Sequence, residues 1–228
     1  MRTNTTTLGS SVNYIDQEAT ALTRARYQRI SPLYDRIEWL MERRFRPWRE
    51  RLWQFVCGPN VLEVGVGTGK NIELWPLNCR VTAIDLTPGM LDIARQHARS
   101  LNRNVEDLFL ADVQHLEFPS AVFDTVVATF VFCSVPDPVQ GLREIGRVVR
   151  PDGQILLVEH VRIDRPVIGA LMDLVAPLIV RINGANINRR TVENVRAAGL
   201  HIDRVEDLDN MGMFKLIFAR PKAFTITV

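Results

Sequence analysis

Hydrophobic positions fall at helical spacing through the first quarter of the chain. They then change to short, dense apolar runs separated by longer amphipathic stretches. From about Tyr14 to Phe55 the pattern is helical, with a break near Ser31 and Pro32. Ser31 is placed to N-cap a second helix with Pro32 at its first position, and Tyr34, Ile37, Leu40 and Met41 follow at helical spacing. Pro47 is expected to open a further helix carrying Trp48, Leu52 and Phe55. Beyond it, apolar runs predict strands at 60–65, 80–85, 105–110, 123–130 and 153–160, with late strands near 201–207 and 213–220. Amphipathic stretches predict helices at 70–76, 88–101, 138–149, 165–182 and 189–198. Strands alternating with helices imply an α/β fold with a parallel, Rossmann-like sheet.

This pattern divides the chain into a polar tail at 1–12, expected to be disordered, a helical cap at 13–56, and an α/β domain at 57–228. A hydrophobic content of 46% and a charged content of 24% suit a full globular core. The net charge is only +2, but arginines crowd residues 24–51: Arg24, Arg26, Arg29, Arg36, Arg43, Arg44, Arg46, Arg49 and Arg51. Such a segment fits an anionic lipid or RNA surface, and equally an amphipathic helix with a solvated face. Cys57, Cys79 and Cys133 lack C-x-x-C spacing and read as free, mostly buried thiols in a reducing compartment. His97, His115, His160 and His201 are scattered, so no metal site is expected. The polar N-terminus has no apolar core of a secretory signal.

Candidate chemistry concentrates at residues 61–71, VLEVGVGTGKN, which read as a buried strand, a glycine turn and a helix start. Gly65, Gly67 and Gly69 permit positive φ and close approach of backbone to a ligand. Asp85 ends the next apolar run, about twenty residues on, where a carboxylate accepts from ribose hydroxyls. The dinucleotide spacing G-x-G-x-x-G would put its third glycine where Lys70 stands, and the P-loop pattern is absent. Glu63, two residues before the first glycine, would repel a pyrophosphate and suits a cationic ligand.

In these residues the chain resembles the class I S-adenosylmethionine (SAM) dependent methyltransferases, whose first motif is E/D-x-G-x-G-x-G. The resemblance implies SAM as cofactor, S-adenosylhomocysteine as product, and a seven-stranded sheet of order 3-2-1-4-5-7-6 with an antiparallel last strand. It also implies that Met90 packs on adenine. By the same likeness Asp112 accepts the exocyclic amine, the Val113 backbone reaches a ring nitrogen, and Thr129 and Phe130 lie near the methionine moiety. Asn71 and Leu86 complete the expected cofactor set, with Tyr27 folded over it. Asp124, at the far end of its strand, and the turn Pro151-Asp152-Gly153 are expected to be structural.

Tyr27 and the pair Tyr34-Asp35 resemble the lead-in of the quinone C-methyltransferases, whose tyrosines line the acceptor pocket. Val158-Glu159-His160-Val161, Phe132-Cys133-Ser134-Val135 and Gly184-Ala185-Asn186-Ile187-Asn188-Arg189 resemble another branch. That branch holds the small soluble bacterial phosphatidylethanolamine N-methyltransferases and some membrane-associated animal thiol methyltransferases. On this likeness Tyr27, Tyr34 and His160 are expected to surround a head-group amine, with Glu159, Arg181 and Arg189 on the substrate side. His160 fits a structural role equally well. Residues 165–182 are almost wholly apolar but short of the ~20 residues of a membrane span, and are interrupted by Asp173 and Pro177. Flanked by Arg162, Arg165 and Arg181, this helix either receives acyl chains or is a buried cap. The expected function is N-methylation of phosphatidylethanolamine by a cytoplasmic monomer held peripherally on the anionic inner membrane. Quinone C-methylation, thiol S-methylation and non-catalytic SAM or membrane binding are the alternatives. Nucleic acid is not an expected partner, because Ser134-Val135-Pro136-Asp137 stands where a base-handling N/D-P-P motif would be.

Overall fold

The computed structural model describes residues 16–183 and 186–222, without the side chains of Ile37, Glu38, Leu40, Ile182 and Asn183. The expected disordered tail, and Gly184 and Ala185 of the downstream motif, lie outside the described residues. Two cap helices come first, α1 (Gln17–Ile30) and α2 (Tyr34–Trp53), joined by a 3-10 turn at Ser31–Leu33. The α/β part follows as β1 (Asn60–Val64), β2 (Arg80–Asp85), α3 (Pro88–Ser100), β3 (Leu108–Leu110), β4 (Phe123–Thr129), α4 (Pro138–Val148) and β5 (Val149–His160). The chain continues through α5 (Pro166–Asn183), α6 (Thr191–Ala197), β6 (Leu200–Asp207) and β7 (Phe214–Pro221). The strands form one sheet in the order β3-β2-β1-β4-β5-β7-β6. Strands β1 to β5 pair in parallel, and β7 is antiparallel to both β5 and β6.

Period-two alternation sends the central strands' side chains into two cores. Leu62, Val64, Val126, Ala128, Ile155 and Leu157 pack on one face with Leu142, Ile145 and Val148 of α4. Val61, Ala83, Val127, Leu156 and Val158 pack on the other with Leu91 and Ala94 of α3 and Leu52 and Trp53 of α2. Each large buried aliphatic contributes roughly 2 kcal/mol. Asp137 caps α4, its Oδ1 accepting from Gln140 N at 2.9 Å. Asp16 does the same for α1 through Ala19 N, at 2.9 Å.

Four expectations about local structure change. Ser31 caps no second helix: its Oγ donates to Gln28 O at 3.0 Å, and α2 starts only at Tyr34, after the 3-10 turn, with no side-chain cap. Pro47 does not open a new helix but sits inside α2. Phe45, Arg49, Leu52 and Trp53 are buried on either side of it, so packing carries the helix across the missing hydrogen bond. The helix expected at 70–76 is only a 3-10 turn at Ile72–Leu74, since the glycine turn and Pro76 leave too few residues for a stable α-helix. Of the cysteines, Cys57 is exposed, Cys79 partly buried and Cys133 alone fully buried. Asp124 is structural, as expected from its end of the strand: it accepts from Asn60 N and pairs with Arg150. Residues 150–153 bulge from the β4–β5 ladder, which pairs Phe123 with Val149 and resumes at Thr125 with Gln154.

Candidate functional site

An open cleft lies over the carboxyl ends of β1, β2 and β4, where the strand order reverses. At its centre the glycine turn leaves β1. Gly65 and Gly67 both line the cleft, with φ of +69° and +57°. A Cβ built at Gly67 would meet no atom within 4 Å, so the backbone there faces open space.

Asp85 closes β2. Its Oδ2 accepts from Gly67 N at 2.9 Å and its Oδ1 from Thr87 N at 2.8 Å. Burial raises its pKa, and these two N–H groups offset part of that rise. Each carboxylate oxygen keeps a lone pair for a ribose hydroxyl in the cleft. Met90, on the first turn of α3, is buried and lines the same end, together with Leu86, Asp112 and Val113. Asp112 is oriented by Gln114, whose backbone N donates to Oδ1 at 2.9 Å and whose side-chain Nε2 contacts both oxygens. The same Nε2 reaches Thr20 of α1 at 3.1 Å, and Gln28 of α1 accepts from Gly89 N at 2.9 Å. These contacts hold the cap over the cofactor end.

The other end of the cleft is polar below and aromatic above. Thr129 Oγ1 accepts from Arg49 Nη1 at 2.9 Å and Asn71 Nδ2 at 3.1 Å. Asn71 Nδ2 also donates to Glu63 Oε1 at 2.7 Å, and Trp75 Nε1 donates to Glu63 Oε2 at 2.6 Å. Phe130 holds a φ of +58°, costly for a bulky residue and common where a backbone serves a site. Its ring packs on Phe45 with centroids 4.6 Å apart. Tyr27 and Tyr34 line the cleft from the cap, their rings 6.5 Å apart.

The structure therefore brings Tyr27, Tyr34, Gly65, Gly67, Asp85, Leu86, Met90, Asp112, Val113, Thr129 and Phe130 to one cleft. The other residues expected at the site do not line it. Glu63 is wholly buried on Asn71 and Trp75, and burial raises its pKa to about 7. Gly69 and Asn71 are buried beneath the turn. Glu159, expected on the substrate side, is also wholly buried. Its Oε1 accepts from Val131 N at 2.9 Å and Phe132 N at 3.0 Å, and burial lifts its pKa to about 7. His160 lies against Phe214 and bonds the backbone of Ile187, and burial lowers its pKa to about 4. Arg189 donates to Val135 O at 2.8 Å and so braces a loop of the cleft wall. Arg181 is exposed on α5.

The sequence reading missed Arg49, Gln114, Thr23, Lys70 and Ser134. Arg49 had a usable signal: it stands at i+4 from Phe45 and three and four residues before Leu52 and Trp53, on the inward face of α2. Among the described residues no cluster of ligating side chains suits a metal.

Residues 62–157 match the methyltransferase domain family. The chain is 38% identical over 115 residues to phosphatidylethanolamine N-methyltransferase of Cereibacter sphaeroides, covering 50% of this chain and 57% of that protein. It is 34% identical over 103 residues to a thiol S-methyltransferase of Mus musculus, covering 44% and 42%. It is 31% identical over 142 residues to demethylmenaquinone methyltransferase of Listeria monocytogenes, covering 58% and 60%. The matched part thus spans roughly half the length of these curated relatives. A SAM-dependent methyltransferase structure from Thermotoga maritima superposes with a TM-score of 0.64 at 18% identity, over 87% of this chain and 99% of that one.

Proposed function

This chain carries a class I SAM-dependent methyltransferase domain, and we propose that it methylates the head-group amine of phosphatidylethanolamine at an anionic membrane surface. The observation that carries the lipid part is the outer face of α5. Val167, Leu171, Leu174 and Leu178 recur at helical spacing and are 83%, 57%, 77% and 62% exposed. Apolar side chains this open on a surface helix mark an interaction face. Arg165, Arg181 and Arg190 stand exposed around it. Trp39 and Met41 of α2 are exposed as well. Among the described residues no helix is long and apolar enough to cross a membrane, so contact would be interfacial. The amine as acceptor rests on the relative from Cereibacter sphaeroides.

The cleft residues suit the cofactor. Asp85 would hold the ribose, Asp112 and Val113 the adenine edge, and Met90 the adenine face, while Gly67 leaves backbone open to the ligand. Bound SAM supplies a methyl group made electrophilic by its sulfonium. The acceptor amine would first give its proton to water at the open mouth of the cleft, and its lone pair would then take the methyl group, leaving neutral S-adenosylhomocysteine. Tyr27 and Tyr34 would enclose that nitrogen, with their hydroxyls as acceptors and their rings facing the ammonium that forms. Fixing donor and acceptor in line in the cleft would supply several kcal/mol of the barrier reduction. His160, half-buried and neutral near pH 7, would pack the end of β5 rather than move a proton.

The relatives acting on demethylmenaquinone and on thiols make C- and S-methylation the competing readings. Offering the purified protein labelled SAM with phosphatidylethanolamine vesicles, a demethylated quinone or a small thiol separates them. Label in the lipid amine is the expected result. Label only in quinone or thiol would overturn the proposal.

A further inference from the structure

We propose that the Arg49 guanidinium is the anchor for the methionine carboxylate of SAM. Arg49 lines the cleft, yet its side chain is only 8% exposed. Its Nη1 is spent on two neutral acceptors, Thr129 Oγ1 at 2.9 Å and Asn71 Oδ1 at 3.3 Å. Its Nε is buried and makes no hydrogen bond among the described residues. The nearest carboxylate, Glu42, has Oε1 3.4 Å from that Nε, beyond hydrogen-bond geometry, and its Oε2 is turned to Lys70 Nζ at 3.6 Å, which Asp35 also meets at 3.4 Å. No hydrogen bond to Nη2 occurs among the described residues. A guanidinium left with open fork donors in a nearly closed site is matched to a planar carboxylate.

Placement selects which ligand group meets it. Asp85, Met90 and Asp112 mark the adenosine end of the cleft, and Arg49 stands with Thr129 and Phe130 at the opposite end, across Gly65 and Gly67. A SAM molecule with its ribose on Asp85 extends its amino-acid end toward Arg49. That end carries an ammonium and a carboxylate, and only the carboxylate complements a cation. The Phe130 ring, 5.3 Å from the guanidinium carbon, covers one face and fixes the direction of the fork. Glu63, the carboxylate that the sequence motif offers to the cofactor, is wholly buried behind Asn71. Burial favours its protonated form, which weakens its competition for Arg49. The inference rests on SAM as the ligand of this cleft and is independent of which acceptor is methylated.

Calorimetric titration with SAM and with decarboxylated SAM tests it directly on the unmodified protein. The wild type should bind the decarboxylated ligand about tenfold to a hundredfold more weakly. Arg49→Met should lose a similar factor for SAM and change binding of decarboxylated SAM by no more than about twofold. Arg49→Lys, which keeps the charge but not the fork, should fall between. Equal affinity of the wild type for both ligands would overturn the assignment, and that comparison needs no substitution. Equal losses for both ligands in Arg49→Met would also overturn it and leave Arg49 a purely structural link between α2 and β4. Binding of neither ligand by the wild type would remove the cofactor reading along with it.

Discussion

Gly65 and Gly67 share positive φ, but their surroundings differ. A Cβ at Gly65 would lie 2.5 Å from Val131 Cγ2, whereas one at Gly67 meets nothing within 4 Å. Gly67→Ala should therefore fold, at a cost of about 1–2 kcal/mol for the left-handed backbone, and should weaken SAM because its methyl enters the cleft. Gly65→Ala should cost more stability, since Val131 must move. Thermal unfolding together with SAM titration checks both. Glu159 and His160 make opposite statements about pH. Glu159 titrates near 7 in the fold against 4.5 ordinarily, so the stability it contributes is fully present below pH 4.5 and is lost as pH rises to 7. His160, lowered from 6.5 to about 4, contributes stability above pH 6.5 that is lost as pH falls to 4. Between pH 4.5 and 7.5, Glu159→Gln should gain up to ~3 kcal/mol relative to the wild type, read by urea unfolding at the two pH values. A flat difference would contradict its buried, proton-holding state. Asp85, Asp112 and Thr129 were legible in the sequence because each sits at or just beyond the carboxyl end of a strand by the switch point, whereas Met90, on the first turn of α3, came from the family likeness. Glu159 and His160 share that property, but β5 lies one strand beyond β4, outside the cleft. Arg49 was passed over among its solvated neighbours, although its spacing from Phe45, Leu52 and Trp53 sets it on the inward face.

At the scale of elements, periodicity located the strands well, and the misreadings fall where packing overrides local signals. Pro47 is a helix-start signal by propensity, yet buried residues on both sides carry α2 through it. The arginines of α2 also changed meaning. Arg44, Arg46, Arg49 and Arg51 pair with Asp209, Glu50, Glu42 and Glu206, partners that spacing along the chain reveals only within the helix. Among the described residues Arg24, Arg26 and Arg29 of α1 make no ion pair and stay available to an anionic surface. The apolar stretch at 165–182 was open to two readings, and exposure separates its faces. Met172 and Ala176 are buried, and Val167, Leu171, Leu174 and Leu178 are not. Leu171→Glu with Leu174→Glu should leave unfolding within about 0.5 kcal/mol, because neither side chain is in the core. The same pair should abolish flotation with anionic vesicles. Unchanged flotation would show that α5 is not the docking face.

Over the whole molecule, alternation of strands and helices was enough to predict a parallel sheet, but not the antiparallel β7 between β5 and β6. That came from the family likeness and is what the strand pairing shows. The cofactor half was legible because its chemistry sits in contiguous motifs. The far end of the cleft was legible only in part: the family likeness supplied Tyr27 and Tyr34, but Arg49 and the loop after β4 join them only in three dimensions. With a net charge of only +2, the proposed membrane attraction would be local, through arginines clustered beside apolar faces. Vesicle-dependent activity should therefore fall as salt rises. The most direct test of the central claim is the mass of phosphatidylethanolamine after incubation with the purified protein and SAM, in vesicles containing an anionic lipid. Head-group masses rising in steps of one methyl are the predicted result. An unchanged lipid, in a sample whose SAM binding is confirmed by titration, would contradict lipid N-methylation.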